Sequence, residues 1–495
     1  MHRPSELVFY GSPSLLPSVV SLNLPPSKSQ LIRRIFIGAV QGLDHPMIEW
    51  NPTWPKDVME AWSLVNCALS RRQQGHHQSV DHMWEAGEAG AVMRFGLAFL
   101  VAQGCGGILR GNGRAHERPI GDLVNALILC GANIEYLGEA GYPPLKIHSS
   151  SLRRRDLFME AGTSSQFISA MAMVAPLLRP LDAPQENVPW EIAWSPQSFV
   201  SRPYLALTVQ EMSGFGYSFE YSEHSLRYFP AVGVQVQTLL PGYGALKQDS
   251  RPVEGDWSAA SFWIWRHAVI PLCQRLELKI LTSESNQADS VVLDLLARLA
   301  PQVSAVFNPD TCTWTFDSLG SSAMLTNNSE ERPPDRGQPV LNCDQGLWRI
   351  KATDFPDMVP VLAVWAILSG NAVEITGIEQ LRYKESDRIQ ALMVNLELLG
   401  VPHEMHVPDG LLIRPLASWA VYSRRFIAPP FLKGHSVATG PLLRCFGDHR
   451  LAMAFSMLAL PDFPILLDEP HTVRKSYPGF WEDWTKFEYV LKALN

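Results

Sequence analysis

Two carboxylates stand among an unusual concentration of cations and hydroxyls in this sequence. Asp357 follows Phe355-Pro356 at the head of an apolar segment, and Glu385 sits in Lys384-Glu385-Ser386-Asp387-Arg388. The polar groups gathered at other segment starts are Lys28, Ser29, Gly90, Ser164, Ser165, Gln166, His449 and Arg450, with Arg33, Arg94, Arg118 and Lys475 in short motifs nearby. A helix start presents free N–H groups and a partial positive charge, so such starts with added cations suit a ligand bearing several phosphates or carboxylates. A carboxylate there does not help anion affinity, but it can move protons. The structural alternatives are an N-terminal helix cap for Asp357 and an i, i+3 ion pair with Arg388 for Glu385.

One supersecondary unit recurs and would position these groups. A polar loop opens an almost wholly apolar helix, and an amphipathic helix follows, ending near a glycine and a short strand. The apolar helices start near Ser27, Ala89, Thr163, Asp256, Pro356 and Asp448, and their partners near Lys56, Pro119, Pro203, Gln287, Glu385 and Gly479. Helices apolar all round must be buried, so six units predict two three-unit α/β domains, with the break near 248–254. Unrelated α/β domains with coincidental helices are the alternative. Segments 318–346 and 414–444 read as exposed insertions.

The chain has 495 residues, a net charge of −8, 46% hydrophobic and 18% charged residues. That predicts a globular protein with no basic footprint for nucleic acid. No stretch is long and apolar enough for a membrane helix, and the first residues lack the apolar core of a secretory signal. Seven scattered cysteines without a C-x-x-C pair point to reduced thiols in a cytoplasmic protein. His76, His77 and His82 lack the partners that would complete a metal site.

The motifs together resemble the 3-phosphoshikimate 1-carboxyvinyltransferase (5-enolpyruvylshikimate-3-phosphate, EPSP, synthase) family. They are LPPSKSQLIRR (24–34), GEAGAVMRF (87–95), ERPIGDLV (117–124), GYPPLKI (141–147), SSQFISA (164–170), SRPYLALT (201–208), VEGDWSAAS (253–261), DFPDMVP (354–360), LRYKESDRI (381–389), GDHRLAMAFS (447–456) and TVRKSYPGF (472–480). The resemblance implies two similar domains, each of three βαβαββ units with buried parallel helices. These would be residues 28–252, and 1–25 plus 255–495, with the active site in the interdomain cleft. It implies transfer of the enolpyruvyl group of phosphoenolpyruvate to the 5-hydroxyl of shikimate 3-phosphate, releasing phosphate, in a cytoplasmic monomer without metal or organic cofactor.

By the same resemblance, Lys28, Ser29, Arg33, Ser164, Ser165, Gln166, Ser201, Tyr204, Asp357, Gln380 and Lys384 hold shikimate 3-phosphate. Lys28, Gly90, Arg118, Gln166, Arg388, Arg450 and Lys475 hold phosphoenolpyruvate. Asp357 takes the hydroxyl proton, Glu385 donates a proton, and Lys28 and His449 lie at the transferring group. The sequence departs from the family pattern at several places. Leu31-Ile32 replaces Ser-Asn, Glu88-Ala89-Gly90-Ala91 replaces Asn-Ala-Gly-Thr, and Phe95 replaces the proline that follows the arginine in glyphosate-sensitive members. Gln380 replaces an asparagine, and Gly447 the asparagine before Asp-His-Arg. Glu88 near a phosphoenolpyruvate site would repel it unless it points outward or pairs with Arg94. Two other readings remain: the enolpyruvyl transferase acting on UDP-N-acetylglucosamine, and a non-catalytic paralogue that binds a phosphorylated metabolite.

Overall fold

Each apolar segment becomes a helix buried on all sides. In α1 (Lys28–Val40) every residue from Gln30 to Val40 is buried, and in α3 (Gly90–Ala102) every residue from Val92 to Val101. The same holds for Phe167–Val174 in α5 (Gln166–Val174), Val359–Leu368 in α9 (Val359–Ser369) and the whole of α11 (His449–Ser456). In α7 (Trp257–Val269), Trp257, Trp263 and Trp265 are fully buried. Fully burying one such side chain stabilises the fold by roughly 1.5–3 kcal/mol, so these helices anchor the cores.

The structure is a computed structural model that describes residues 6–11, 17–41, 51, 53–160, 162–179, 188–196, 199–230, 251–318, 341–406, 409–415, 417–419, 440–460, 463–487 and 489–494. The chain divides into two compact units, Ser27–Val253 and Met1–Pro26 with Glu254–Asn495. In the first, α1, α3 and α5 pack against one another, and α2 (Lys56–Gln73), α4 (Gly121–Leu129) and α6 (Arg202–Gly214) pack on them. In the second, α9 packs against both α7 and α11.

The βαβαββ unit is built the same way each time. Its first two strands are parallel across a buried helix. After the amphipathic helix, in four of the five described sheets a hairpin returns its last strand antiparallel to the second. In residues 27–253 one sheet has the order β3 (Met83–Glu85), β4 (Gly107–Arg110), β6 (Leu145–His148), β5 (Asn133–Tyr136). The next runs β7 (Leu157–Phe158), β8 (Trp190–Ala193), β10 (Ser225–Phe229), β9 (Ser218–Tyr221). Residues 42–50 and 231–250 lie outside the described residues.

The other unit repeats the pattern three times. In one sheet, β2 (Val19–Asn23) runs parallel to β11 (Arg275–Lys279), followed by β13 (Thr313–Ser318) and β12 (Val303–Asn308). Residues 27–253 are thus inserted between the first strand of a unit and its helix α7. The two ends of the insertion meet, since Pro26 bridges Gly255 and the Asp256 N–H donates to the Pro25 carbonyl at 2.9 Å. The amphipathic helix of this sheet, α8 (Val292–Leu299), follows a 3₁₀ turn at Ala288–Val291.

The second sheet runs β15 (Leu347–Lys351), β16 (Ala372–Thr376), β18 (Gly410–Ile413), β17 (His403–His406), crossing through α9 and α10 (Arg388–Leu398). It gains an extra edge strand, β14 (Leu341–Asp344), antiparallel to β15. This corrects the expectation that 318–346 is all loop. Leu-Asn-Cys-Asp has no strand alternation of its own, and backbone pairing with β15 supplies the structure. Residues 319–340, 416 and 420–439, most of the two expected insertions, lie outside the described residues. The third sheet pairs β19 (Leu442–Leu443) with β20 (Ile465–Leu467) across α11. After α12 (Phe480–Thr485) it is closed by β1 (Glu6–Gly11) and β21 (Tyr489–Leu494). The first strand of the chain therefore completes its last unit. Among the described residues no helix is long and apolar enough to cross a membrane.

Candidate active site

In residues 27–253 the motif residues gather at the starts of α1, α3, α5 and α6. Ser27 caps α1, its Oγ accepting the Gln30 N–H at 3.4 Å, so Lys28 and Ser29 occupy the first turn. Lys28 Nζ lies 2.8 Å from Asp57 Oδ2 in the first turn of α2, with side chains only 13% and 6% exposed. One turn on, Arg33 points inward. Its Nε donates to Thr208 Oγ1 at 2.8 Å, Nη1 to the Ser29 carbonyl at 2.9 Å and Nη2 to the Tyr204 carbonyl at 3.0 Å. Burial lowers its pKa to about 10, against the raising influence of Tyr204 and Glu211. Three of its five N–H groups are therefore committed within the protein.

Gly90 opens α3 after Ala89, which offers no side-chain cap. A Cβ on Gly90 would come within 2.7 Å of Arg118 Nη1, so the glycine is what lets the buried guanidinium lie against the helix start. Arg94 donates to Gln166 Oε1 at 2.7 Å, Ser164 Oγ at 3.3 Å and the Pro119 carbonyl at 3.2 Å, with its guanidinium 4.9 Å from the Phe167 ring. It thereby fixes two residues of the Ser164-Ser165-Gln166 motif. Ser165 is the N-cap position of α5 and is buried. Ser201, the N-cap of α6, holds φ +58, and Tyr204 follows in the first turn. Left-handed backbone at a non-glycine residue is uncommon and marks a position held by its surroundings.

The substituted positions find places in the same structure. Leu31 and Ile32 are buried in the core of this unit. Phe95 is buried too, edge-on to Phe36 at 6.0 Å and 5.4 Å beneath the Arg33 guanidinium. Glu88 Oε1 pairs with Lys56 Nζ at 3.0 Å on the partly exposed flank of the turn.

In the other unit the charged residues form one buried lattice. Arg388, 1% exposed, donates through Nη1 to Asp357 Oδ1, through Nη2 to Glu385 Oε2 and through Nε to Asp448 Oδ2, each at 2.7 Å. Arg450 Nη2 donates to the other Asp357 oxygen at 2.8 Å. Asp448 caps α11, accepting the Arg450 N–H at 2.9 Å, and also accepts from Ser386 Oγ at 3.1 Å. Asp357 sits in a 3₁₀ turn, and its carboxylate is bonded to two arginines rather than serving as a simple cap. The ion pair of Glu385 with Arg388 does form, but as one arm of a three-carboxylate clamp.

Burial alone would raise the Asp357 carboxyl. The charges of Arg450, Lys384 and Arg388 reverse this and hold it well below the usual carboxylate range, with Glu385 opposing them. Burial likewise works against the Arg388 charge, yet Asp448, Glu385 and Asp357 together raise its pKa well above the usual arginine value. His449 is buried, with Nδ1 3.9 Å from Asp448 Oδ1. Lys475 Nζ donates to the Gly447 carbonyl at 3.0 Å, which ties it to the loop leading into α11. Gln380 is 6% exposed and spends its amide N–H groups on the Gly377 and Thr353 carbonyls, at 2.9 and 3.5 Å.

Sequence reasoning left several participants unassigned. Asp57 and Asp448 hold Lys28 and Arg388, and Arg94 aims Gln166. The capping position of Asp448 inside Gly-Asp-His-Arg was a usable signal, because a caps-then-arginine spacing turns one carboxylate towards both. Asp289 gave no signal. It is 2% exposed, accepts from Ser258 Oγ and is pushed up to about 7 by burial and then by Asp357 and Asp256, against Arg450 and Ser258. Among the described residues no group of three His, Cys, Asp or Glu side chains is placed to hold a metal ion.

This architecture is that of the enolpyruvyl transferases. The chain is similar in fold to EPSP synthase from Acinetobacter baumannii (TM-score 0.64, 18% identity, 99% of this chain and 100% of that one). It also resembles the enolpyruvyl transferase NikO from Streptomyces tendae (TM-score 0.57, 12% identity, 99% of each chain). In sequence, residues 62–484 match the family described as EPSP synthase (3-phosphoshikimate 1-carboxyvinyltransferase). A 3-phosphoshikimate 1-carboxyvinyltransferase from Bacteroides fragilis is 32% identical over 409 residues, 82% of this chain and 83% of its own length. One from Idiomarina loihiensis is 30% identical over 407 residues, 81% and 78% of the two chains. The chain belongs to the EPSP synthase family.

Proposed function

We propose that the chain transfers the enolpyruvyl group of phosphoenolpyruvate to the 5-hydroxyl of shikimate 3-phosphate and releases phosphate, as a 3-phosphoshikimate 1-carboxyvinyltransferase. The observation that carries the catalytic assignment is the buried lattice in which Arg388 and Arg450 grip Asp357 beside Glu385. A protein that merely binds phosphate gains from the arginines but has no use for two carboxylates among them.

In this reading, Lys28, Gly90, Arg118 and Gln166 from one unit, and Arg388, Arg450 and Lys475 from the other, take the carboxylate and phosphate of phosphoenolpyruvate. Ser29, Arg33, Ser164, Ser165, Gln166, Ser201 and Tyr204, with Asp357, Gln380 and Lys384, take shikimate 3-phosphate. The 5-hydroxyl oxygen attacks C2 of phosphoenolpyruvate, its proton passing to Asp357, while Glu385 delivers a proton to C3. The tetrahedral adduct then returns a C3 proton to the Glu385 carboxylate as the C2–O bond to phosphate breaks and phosphate leaves. With its partners in place Asp357 is a weak base. An anion that draws the Arg388 and Arg450 N–H groups to itself loosens their hold and raises the Asp357 pKa towards the value a general base needs. Lys28 and His449 serve the transferring group, and the enzyme acts as a cytoplasmic monomer.

The test is phosphate release with purified chain. Release that requires both phosphoenolpyruvate and shikimate 3-phosphate is the expected result. Release with UDP-N-acetylglucosamine in place of shikimate 3-phosphate, or binding without release, overturns the reading.

A further inference from the structure

The turn that leads into α3 is gripped by a side chain on another helix. Gly87 adopts φ +62, and a Cβ there would overlap the Glu60 carboxyl, so the Glu60 head group rests directly on this backbone. The Glu88 N–H donates to Glu60 Oε2 at 3.3 Å. The Asn112 N–H also donates to the Gly87 carbonyl at 2.7 Å. Lys56 Nζ spans the cluster, 3.0 Å from Glu88 Oε1 and 3.7 Å from Glu60 Oε1. Three residues after Gly87, Gly90 begins the helix without a side-chain cap, against Arg118.

On the assignment of Gly90 and Arg118 to phosphoenolpyruvate, we propose that Glu60 is a positioning residue. It clamps the Gly87-Glu88 turn that sets the α3 start, and its charge, shared with Glu88 and Lys56, tunes the affinity of that start for the phosphoenolpyruvate anion. A carboxyl there can hold the turn in either charge state, because both states keep an oxygen that accepts the Glu88 N–H. Only the ionised state adds a negative charge on the turn that leads into α3, where it weakens the pull on an anion.

The surroundings make that charge conditional. Burial, and then the neighbouring Asp57, push the Glu60 carboxyl up to about 7, against Lys56 and the Glu88 N–H, with the Glu88 charge adding to the rise. The helix carrying Glu60 packs on α1, α3 and β3. Of their charged groups, Lys28 is paired with Asp57, Arg33 is bonded to Thr208, Arg34 is paired with Glu211, Arg94 is bonded to Gln166 and Ser164, and Glu85 is paired with Arg110. The sign follows for both observables. A carboxyl whose folded pKa exceeds its ordinary value of 4.5 favours the fold most at low pH, and that contribution is lost as pH rises through about 7. Phosphoenolpyruvate affinity falls over the same interval.

The experiment compares wild type, Glu60→Gln and Glu60→Ala between pH 6 and 8.5, reading the KM for each substrate and the melting temperature. The ratio of wild-type to Glu60→Gln KM for phosphoenolpyruvate is expected to rise on the order of fivefold from low to high pH, the scale of one nearby unit charge. The ratio for shikimate 3-phosphate stays flat. Glu60→Ala, which loses the clamp, raises the phosphoenolpyruvate KM at every pH. The melting temperature of wild type relative to Glu60→Gln declines as pH rises. A flat phosphoenolpyruvate ratio, or a Glu60→Ala enzyme like wild type, overturns the proposal in an active enzyme. Wild type with no phosphate release instead refutes the functional reading, and melting still tests both parts of the proposal: a flat wild-type to Glu60→Gln curve refutes the conditional charge, and a Glu60→Ala chain that melts like wild type refutes the clamp.

Discussion

The two units hold four buried motif arginines by different means. In residues 27–253, Arg33 and Arg94 are fixed chiefly by hydroxyl, amide and backbone carbonyl oxygens. Neutral acceptors position a guanidinium without cancelling its charge. In the other unit, Arg388 and Arg450 are fixed by Asp357, Glu385 and Asp448, three formal negative charges against two positive. Such a buried lattice is held by strong charge-assisted bonds, and breaking one member leaves an uncompensated buried charge. The first region fixes the Arg33 and Arg94 guanidinium groups through oxygens that leave their charge unneutralised. On the proposed assignment the second exchanges partners when an anion arrives, and that exchange changes the basicity of its carboxylates. Binding and proton transfer are thus expected to separate along the chain, with Lys28 and its Asp57 partner as the exchanging pair within the first region.

The largest effects should fall on the lattice. Glu385→Gln and Asp357→Asn are each expected to cut kcat by about 10²–10⁴-fold, the usual worth of one proton-transfer group, with shikimate 3-phosphate binding still measurable by calorimetry. Near-normal turnover in both would dissolve the distinction between the regions. Because Asp357 is held well below the usual carboxylate range, the acid limb of kcat/KM, which reports the free enzyme, should not follow its titration. Next in size, Asp448→Ala removes a buried partner of Arg388 and the cap of α11 together. It should lower unfolding free energy by roughly 3–5 kcal/mol in denaturant titration. A loss below about 1 kcal/mol would mean that Asp357 and Glu385 suffice to hold Arg388.

A smaller effect is expected across the comparison. Lys28→Ala should reduce kcat/KM for phosphoenolpyruvate by more than about tenfold, the scale of one charge-assisted bond in a dry site. Asp57→Asn should cost less, since it frees Lys28 rather than removing it. If Asp57→Asn proves the more damaging, Asp57 is holding structure and not merely storing the ammonium.

The repeat was legible because its signal is local. Six segments apolar on every face can only be buried helices, and each ended in a polar start. The charged site residues were legible because they sit in short motifs at those starts. What escaped depends on long-range neighbours. Nothing in Leu341–Asp344 announces a strand, since β15 makes it one. Arg33 reads as a ligand cation, yet partners as distant as Thr208 turn it inward. Glu60 and Asp289 look like ordinary helical and turn carboxylates, and only burial beside other carboxylates sets them apart. Glu88 was recognisable as a departure, but its pairing with Lys56 and its place under Glu60 required the fold.

The smallest expected effect concerns how finely the hydrogen-bonding region discriminates between anions of similar charge. Glyphosate occupies the phosphoenolpyruvate site in the resembling enzymes, and sensitive ones carry threonine and proline where this chain has Ala91 and Phe95. Phe95 does not stand in the way of a ligand. It is buried edge-on to Phe36 and beneath Arg33, so its influence must travel through the set of α3 and the seat of that guanidinium. Ala91 lacks the hydroxyl that could anchor the first turn, and the turn is held instead through Glu60 and the Glu88 N–H. A helix start displaced by a fraction of an ångström penalises the longer inhibitor more than the smaller substrate, because discrimination is a difference of two affinities. Wild type should therefore show a high ratio of glyphosate inhibition constant to phosphoenolpyruvate KM. An Ala91→Thr, Phe95→Pro double variant should lower that ratio by roughly tenfold or less, about 1.4 kcal/mol at most. A wild-type enzyme that already prefers glyphosate, or a double variant with an unchanged ratio, would show that the α3 start is set by its clamp alone and not by the residues that follow it.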